Sequence, residues 1–240
     1  AGKYQMNWPS PGTDPSYNPD GVTRRTYYGV SGIPDVFLNG AAVNNSYANN
    51  AANLTAEAAL PAFVSIDLTA TYSGNLLTVN ATVTPHASFP GTHKLHIAAV
   101  ESYSYTGGTT SQNQFKFAQR KMMPNGNGTN LTTLQDGVAQ TFTQSYAFAA
   151  GTPAQGNYNL WGALANVKIV AFVQNTTTKQ VLQAAFVSQL AVGIDEANAL
   201  DRRLTLFPNP TDGVMSLSFD LPTATNVGFV VTDLAGKQVL

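Results

Sequence analysis

From Phe63 onward, apolar and polar positions alternate with a period of two. Val64, Ile66, Leu68, Ala70 and Tyr72 take turns with Ser65, Asp67, Thr69 and Thr71. After Ser73-Gly74-Asn75 the pattern resumes, with Leu77, Val79, Ala81 and Val83 between Thr78, Asn80, Thr82 and Thr84. Alternation of this kind sends one set of side chains to a core and the other to water, so it predicts a half-buried hairpin. Five more runs read as strands: Lys94–Tyr105, Gln114–Met123, Gly137–Ala149, Ala165–Asn175 and Lys179–Leu190. In the fourth of these, Val170 and Phe172 make the second face apolar as well, beside Val167, Ile169, Ala171 and Val173, which predicts a central strand. Seven short strands separated by turns predict a β-sandwich over residues 62–192.

Residues 1–61 carry a different pattern. Pro9, Pro11, Pro15 and Pro19 punctuate a polar opening that predicts loop. Thr23–Tyr28 predicts a short helix closed by Gly29. Gly29–Gly40 reads as turn, strand, turn, with Asn39-Gly40 as a hairpin signal. The Ala/Asn-rich stretch from Asn44 to Leu60 predicts one modest helix ended by Pro61. Residues 193–203 read as a linker, and residues 204–240 return to β, with strand-like runs at Leu204–Leu206, Val214–Leu221 and Val227–Val231.

Composition narrows the setting. Of 240 residues only 12 are Lys or Arg and 13 Asp or Glu, a formal net charge of −1, whereas threonine numbers 27 and asparagine 21. A soluble domain is usually about 25% charged; here the 10% that is charged leaves solubility to hydroxyls and amides. The balance of charge gives no electrostatic footprint for nucleic acid. No apolar run approaches the roughly 20 residues of a membrane-spanning helix. The chain has no cysteine, which removes disulfides, thiolate nucleophiles and cysteine-ligated metals. These features together predict a neutral, β-rich, extracellular protein. The opening Ala1-Gly2-Lys3-Tyr4 lacks a basic region followed by an apolar one, and is expected to follow a removed targeting peptide and further upstream sequence.

Two stretches resemble known families. Leu206-Phe207-Pro208-Asn209-Pro210-Thr211-Asp212-Gly213-Val214, followed by Val231-Thr232-Asp233-Leu234-Ala235-Gly236-Lys237-Gln238-Val239, resembles the start of the C-terminal sorting domain recognised by the type IX secretion system of Gram-negative bacteria. The matching positions are Pro208, Asn209, Pro210, Thr211, Gly213, Asp233, Gly236 and Lys237. Two prolines about an asparagine set an extended entry, and Gly213 and Gly236 suit tight turns. Sorting domains of this kind run on through several more strands, so about half of one is present. Tyr27–Pro34, Gln119-Arg120-Lys121-Met122-Met123-Pro124 and Val170–Ala184 resemble the outer-membrane-protein-28-related family, over roughly residues 4–190. That resemblance implies a thioredoxin-like N-terminal part, an immunoglobulin-like β-sandwich, and an address rather than a chemistry, since the family has no established common activity. The fold class expected is therefore mainly β: a partial thioredoxin-like α/β segment (1–61), a sandwich (62–192), a linker (193–203) and part of a second small sandwich (204–240).

Candidate chemistry is sparse. Val30-Ser31-Gly32-Ile33-Pro34 resembles the cis-proline turn beside a thioredoxin active site, which implies a cis Ile33–Pro34 bond, but redox work needs a low-pKa thiolate that this chain does not carry. His93 and His96, three apart on one strand, point to opposite faces and do not chelate one metal; His86 lies in a turn beside Pro85. Asn125-Gly126-Asn127-Gly128-Thr129-Asn130 offers carbonyl and amide oxygens of the kind calcium takes. It holds no carboxylate, though, and reads as a glycine-rich hairpin loop with Asp136 as the nearest acid in sequence. Tyr103, Tyr105, Tyr158 and Trp161 are candidates for a sugar platform. Glycosylation sequons at Asn44, Asn53, Asn80, Asn127, Asn130 and Asn175 are expected by chance in a chain this rich in asparagine and threonine. No nucleophile elbow or paired carboxylates are seen, so no catalytic residue, cofactor or metal is assigned.

Three functions stay open on these grounds. The first is a secreted or cell-surface, non-catalytic protein acting in adhesion or in surface or filament assembly. Its partners would be the type IX secretion machinery and then itself, other surface proteins or glycans, at the outside of a Gram-negative outer membrane. The second is a thiol–disulfide or peptide-handling thioredoxin relative whose cysteine-containing half lies upstream. The third is a carbohydrate-binding module.

Overall fold

The alternating segments at 64–85 form two long neighbouring strands, β3 (Val64–Ser73) and β4 (Leu76–Pro85), in continuous antiparallel register from Val64 opposite Pro85 to Ser73 opposite Leu76. This computed structural model describes residues 2–8, 12, 14–107, 113–188, 190–192, 205–207 and 216–218. The chain divides into a compact unit of residues 1–192 and a second of 193–240. The boundary drawn at residue 61 from the sequence falls inside the first unit. In the second unit the described strands β12 (Thr205–Phe207) and β13 (Ser216–Ser218) pair antiparallel. Pro208, Asn209, Pro210, Thr211, Gly213, Asp233, Gly236 and Lys237 lie outside the described residues, as does the 193–203 linker.

The first unit is mainly β. Its strands include β5 (His93–Ser104), β6 (Gln114–Met123), β7 (Thr129–Asn130), β8 (Gln140–Ala147), β9 (Lys168–Asn175), β10 (Val181–Val187) and β11 (Ala191–Val192). One sheet runs β11-β3-β4-β8. The other runs β10-β9-β5-β6, with β7 also on β5. A single core joins them: Val64, Leu77, Val79, Ala81 and Val83 from the first sheet meet Leu95, Ile97, Ala99, Ile169, Ala171 and Val173 from the second. Full burial of each large aliphatic side chain there contributes about 1.5–3 kcal/mol. All seven long strands expected from the alternation are present. β9, expected to be central, lies between β10 and β5, with Val170 and Phe172 packed in a second cluster beside Ala98, Val100 and Met122.

That second cluster lies on the outer face of the β5–β9 sheet, where Tyr4 packs against it and Arg24 lies over Phe172. Helix α1 spans Pro19–Tyr28, four residues longer at its start than the expected Thr23–Tyr28. The cause is a cap: Asn18 is extended, its side chain accepts from the Gly21 N–H at 3.1 Å, and Pro19 occupies the first turn, where its missing N–H costs nothing. Gly29, at φ 73°, closes the helix and donates to Arg25 O at 3.0 Å. Asn18 is itself buried and also donates to Ser16 O and Gln119 O. Asn18→Ala is therefore expected to lower stability by about 2 kcal/mol, read by urea titration, because it removes the cap and buried bonds together.

The hairpin signal at Asn39-Gly40 is realised by β1 (Val36–Leu38) and β2 (Ala41–Val43), with φ 50° and 90° at the two turn residues. The single helix expected over 44–60 is instead two, α2 (Asn45–Ala48) and α3 (Ala51–Ala58). Asparagine is the reason. Asn44 caps α2 at Tyr47 N, and Asn50 caps α3 at Ala52 N and Asn53 N, so side-chain amides restart the helix midway. Neither helix buries a residue.

Candidate interaction surface

Charged residues are few in this chain, yet five of them are buried under α1 and along β5 and β6. Asp20, in the first turn of α1, accepts from Lys121 Nζ at 2.8 Å, from Met122 N at 2.9 Å and, through its other oxygen, from Gly126 N at 2.9 Å. One carboxylate thus neutralises a buried ammonium and stops two backbone donors at the border of β6. Arg24, one turn later, donates to Gln174 Oε1 at 2.7 Å and to His96 Nε2 at 3.2 Å. Its guanidinium also lies over Tyr27, Tyr28 and Phe172, 4.7, 5.1 and 5.6 Å from the ring centroids. Burial, then the charges of Arg24 and Lys94, push the His96 imidazole down to about 3. It is therefore neutral, and the bond from Arg24 assigns its proton to Nδ1.

Further along, Arg120 donates to the carbonyl of Asn159 and lies 4.0 Å from Glu101, whose carboxylate accepts from Trp161 N at 3.0 Å and Gly162 N at 2.7 Å. Burial raises the Glu101 carboxyl, against the pull of those two N–H groups and Arg120. Burial likewise lowers Arg120. These groups are closed off from solvent and bonded to one another and to nearby backbone, with Arg24 Nε and His96 Nδ1 left without a partner, so they fasten residues 14–28 to the sheet instead of forming an open site. Sequence reasoning did not single them out for this role. The signal available was Gln119-Arg120-Lys121 in the middle of a strand that otherwise reads as core.

The structure sorts the other candidates. Ile33 and Pro34 are joined by a cis bond on an exposed turn ahead of β1, and Met123–Pro124 is cis as well. His93 and His96 are buried on opposite faces of β5: His93 lies near Phe89 and His96 stacks on Phe172 at 4.9 Å. His86 is exposed, with Nε2 3.1 Å from Ser65 Oγ. The Asn125–Asn130 loop has a carboxylate after all, since Asp20 reaches Gly126 from a distant part of the chain where the sequence offered Asp136. Its oxygens are committed to Lys121, Met122 and Gly126, and the loop bonds to itself through Asn127 N to Asn125 Oδ1 and Gly128 N to Asn125 O. Among the aromatics, Phe115, Tyr103, Trp161 and Tyr105 form one ladder with centroids 4.9 Å apart at each step. Tyr158 stands apart against Tyr146 at 5.8 Å. In the ladder the ring faces are spent on one another, which leaves little flat surface for a sugar.

What the fold does present to solvent is the outer face of β3-β4-β8. The register stacks Asp67, Thr82 and Thr141 in one row, Thr69, Asn80 and Thr143 in the next, and Thr71, Thr78 and Ser145 in a third. Cross-strand bonds tie them: Thr82 to Thr141 at 2.9 Å, Thr143 Oγ1 to Asn80 Oδ1 at 2.7 Å, and Thr78 to Ser145 at 3.0 Å. Eight of the nine are uncharged. Beside this array runs the border of β8, which ends its sheet.

The directions of the β8 backbone groups follow from two bonds. Phe148 N donates to Asn75 O across β4–β8, and His86 N donates to Phe63 O across β3–β4. In an antiparallel pair, bonded and non-bonded positions alternate. Gln140, Phe142, Gln144 and Tyr146 therefore bond to β4, while the N–H and C=O of Thr141, Thr143, Ser145 and Ala147 point away from the sheet. Other borders are covered in part. Lys3 bridges β6 at Phe117 and Gln119, and Asp20 occupies Met122 N. Asn39 O takes Val181 N of β10, where a bulge follows and the Gln183 side chain takes Ala184 N. β11 pairs with β3. β8 carries no charge, no proline and no bulge, the usual protections of an edge strand.

No protein-family model matches the chain, and no curated protein does either. Among solved structures, a domain of the outer membrane lipoprotein Omp28 from Porphyromonas gingivalis overlaps 55% of this chain and 92% of its own length, at 14% identity and a TM-score of 0.36. β-Glucosidase 3B from Thermotoga neapolitana, in complex with glucose, overlaps 70% of this chain at 9% identity and a TM-score of 0.26. This chain covers 19% of that enzyme. Overlaps this loose say nothing of activity. Among the described residues, no helix is long and apolar enough to cross a membrane.

Proposed function

We propose that this chain is a secreted or cell-surface protein of a Gram-negative bacterium that works without catalysis, in adhesion or in surface or filament assembly, through the surfaces of its β-sandwich. The observation that carries the reading is the threonine/asparagine face of β3-β4-β8, with Asp67 as the one charge in its three rows, beside the unprotected border of β8. Short hydroxyls and amides held in register make many weak polar contacts, and a free strand edge offers a row of backbone donors and acceptors. Address is supported by the sequence resemblance at Pro208, Asn209, Pro210, Thr211, Gly213, Asp233, Gly236 and Lys237 to a type IX sorting domain. The scarcity of charge agrees with it.

The test is protease shaving of intact cells of a type IX-secreting bacterium that express the protein. Full-length protein is expected to be degraded from outside. A version lacking everything from residue 204 onward is expected to stay inside and resist. Equal surface exposure of the two, or no exposure of either, would overturn the proposed address.

A further inference from the structure

We infer that β8 is the contact through which two copies of this chain join, edge to edge and antiparallel, into one continuous sheet. The inference rests on the reading of the chain as an assembling surface protein and names its partner. The residues whose backbone points outward, Thr141, Thr143, Ser145 and Ala147, are symmetric about Gln144. A twofold axis at Gln144 sets Thr141 opposite Ala147 of the second copy and Thr143 opposite its Ser145, each pair exchanging two backbone bonds, about eight in all.

The side chains accept the same register. On the wet face hydroxyls meet a methyl or a hydroxyl, and on the inner face Phe142 meets Tyr146 and Gln144 meets itself. No charge lies on β8, so the symmetric pairing sets no like charges opposite one another, the usual obstacle to an edge meeting its own copy. The three-row hydroxyl array then continues across the junction into the second copy. The other borders are interrupted by Lys3, Asp20, Asn39 and β11, and the long strands along them carry a charge or a bulge where β8 carries neither.

The direction of the backbone supplies a clean test. The N–H of Thr143 points outward, so proline there removes no backbone bond within the chain and only the exposed side-chain bond to Asn80, whereas the N–H of Gln144 bonds to β4. Sedimentation velocity of the 240-residue chain over a concentration series is expected to show a monomer–dimer equilibrium. Thr143→Pro is expected to weaken it at least tenfold while the melting temperature stays within a few degrees of wild type. Two double variants, Thr143→Lys with Ser145→Lys and Thr143→Glu with Ser145→Glu, are each expected to be monomeric alone and to pair when mixed one to one.

A wild-type chain that stays monomeric, a Thr143→Pro variant that dimerises as wild type does, or charge variants that fail to pair on mixing would each overturn the inference. So would a monomer whose β8 instead takes an extended peptide of another protein. These outcomes are independent of the shaving experiment: a monomeric protein found at the cell surface refutes the pairing and leaves the address standing, and a dimer retained inside the cell does the reverse.

Discussion

Asp20→Ala is expected to lower stability by about 3–5 kcal/mol, read as a fall in the urea midpoint. The carboxylate makes three bonds in a place water does not reach, to Lys121 Nζ, Met122 N and Gly126 N. Removing it leaves the ammonium of Lys121 buried with no anion, held only by the carbonyls of Met122 and Pro124 and the rings of Tyr146 and Tyr158, and orphans two backbone donors. Breaking one side of a buried pair costs far more than the pair's net worth, because the remaining charge keeps its desolvation penalty. Two companions separate charge from shape. Asp20→Asn keeps an acceptor and is expected to lose about half as much. Adding Lys121→Met to Asp20→Ala is expected to recover most of the loss, since no charge is then stranded. A loss under about 1 kcal/mol in Asp20→Ala would show that α1 is not fastened to β6 through this carboxylate.

The second large effect concerns acid. His96 titrates near 3 in the folded protein, against an ordinary value of 6.5. Its folded-state value is depressed, so the unfolded chain binds the proton first, and stability is full above pH 6.5 and falls as pH drops toward 3. Between pH 7 and pH 4 this one ring is expected to cost about 3 kcal/mol. His93, also lowered by burial, acts in the same direction. Glu101, raised by burial, acts in the opposite one, since its folded carboxyl takes a proton before the unfolded one does. The comparison that isolates His96 is therefore with His96→Gln, which retains an acceptor for Arg24 and cannot titrate. Urea titrations at pH 7 and pH 4 are expected to show a loss about 3 kcal/mol larger in wild type than in the variant. Equal losses would mean that the ring does not stay neutral in the folded state.

The period-two alternation sufficed for the sandwich because the rule it reflects is local: a strand with one wet face must alternate, and β3, β4 and β8 do. It also sufficed for β9, whose second apolar face announced a covered sheet. What lay on that face was not legible. The cover is α1, which turns Asp20 and Arg24 toward the sheet, and its contacts span about a hundred residues of sequence, as between Asp20 and Lys121. A polar helix docked on a sheet through a buried ion pair and buried hydrogen bonds leaves no periodic trace, and its start was hidden by reading Pro19 as a breaker when Asn18 made it a first-turn residue. The split of the 44–60 helix was missed for a similar reason, since asparagine at 49 and 50 looks like mere low propensity until its side chain is seen capping.

The candidate surface divided the same way. The threonine and asparagine positions were plain in the sequence, but their rows came from register, and the openness of β8 came from knowing where Lys3, Asp20, Asn39 and β11 interrupt the other borders.

That array has a consequence for where the protein can work. Forces between fixed charges fade as dissolved ions accumulate, and at 1 M salt they reach only about 3 Å. Hydroxyls and amides in rows have almost nothing for those ions to screen. Contacts made through the β3-β4-β8 face should hold equally in fresh water and in brine, so a surface built from this chain would not loosen as its surroundings change in salinity.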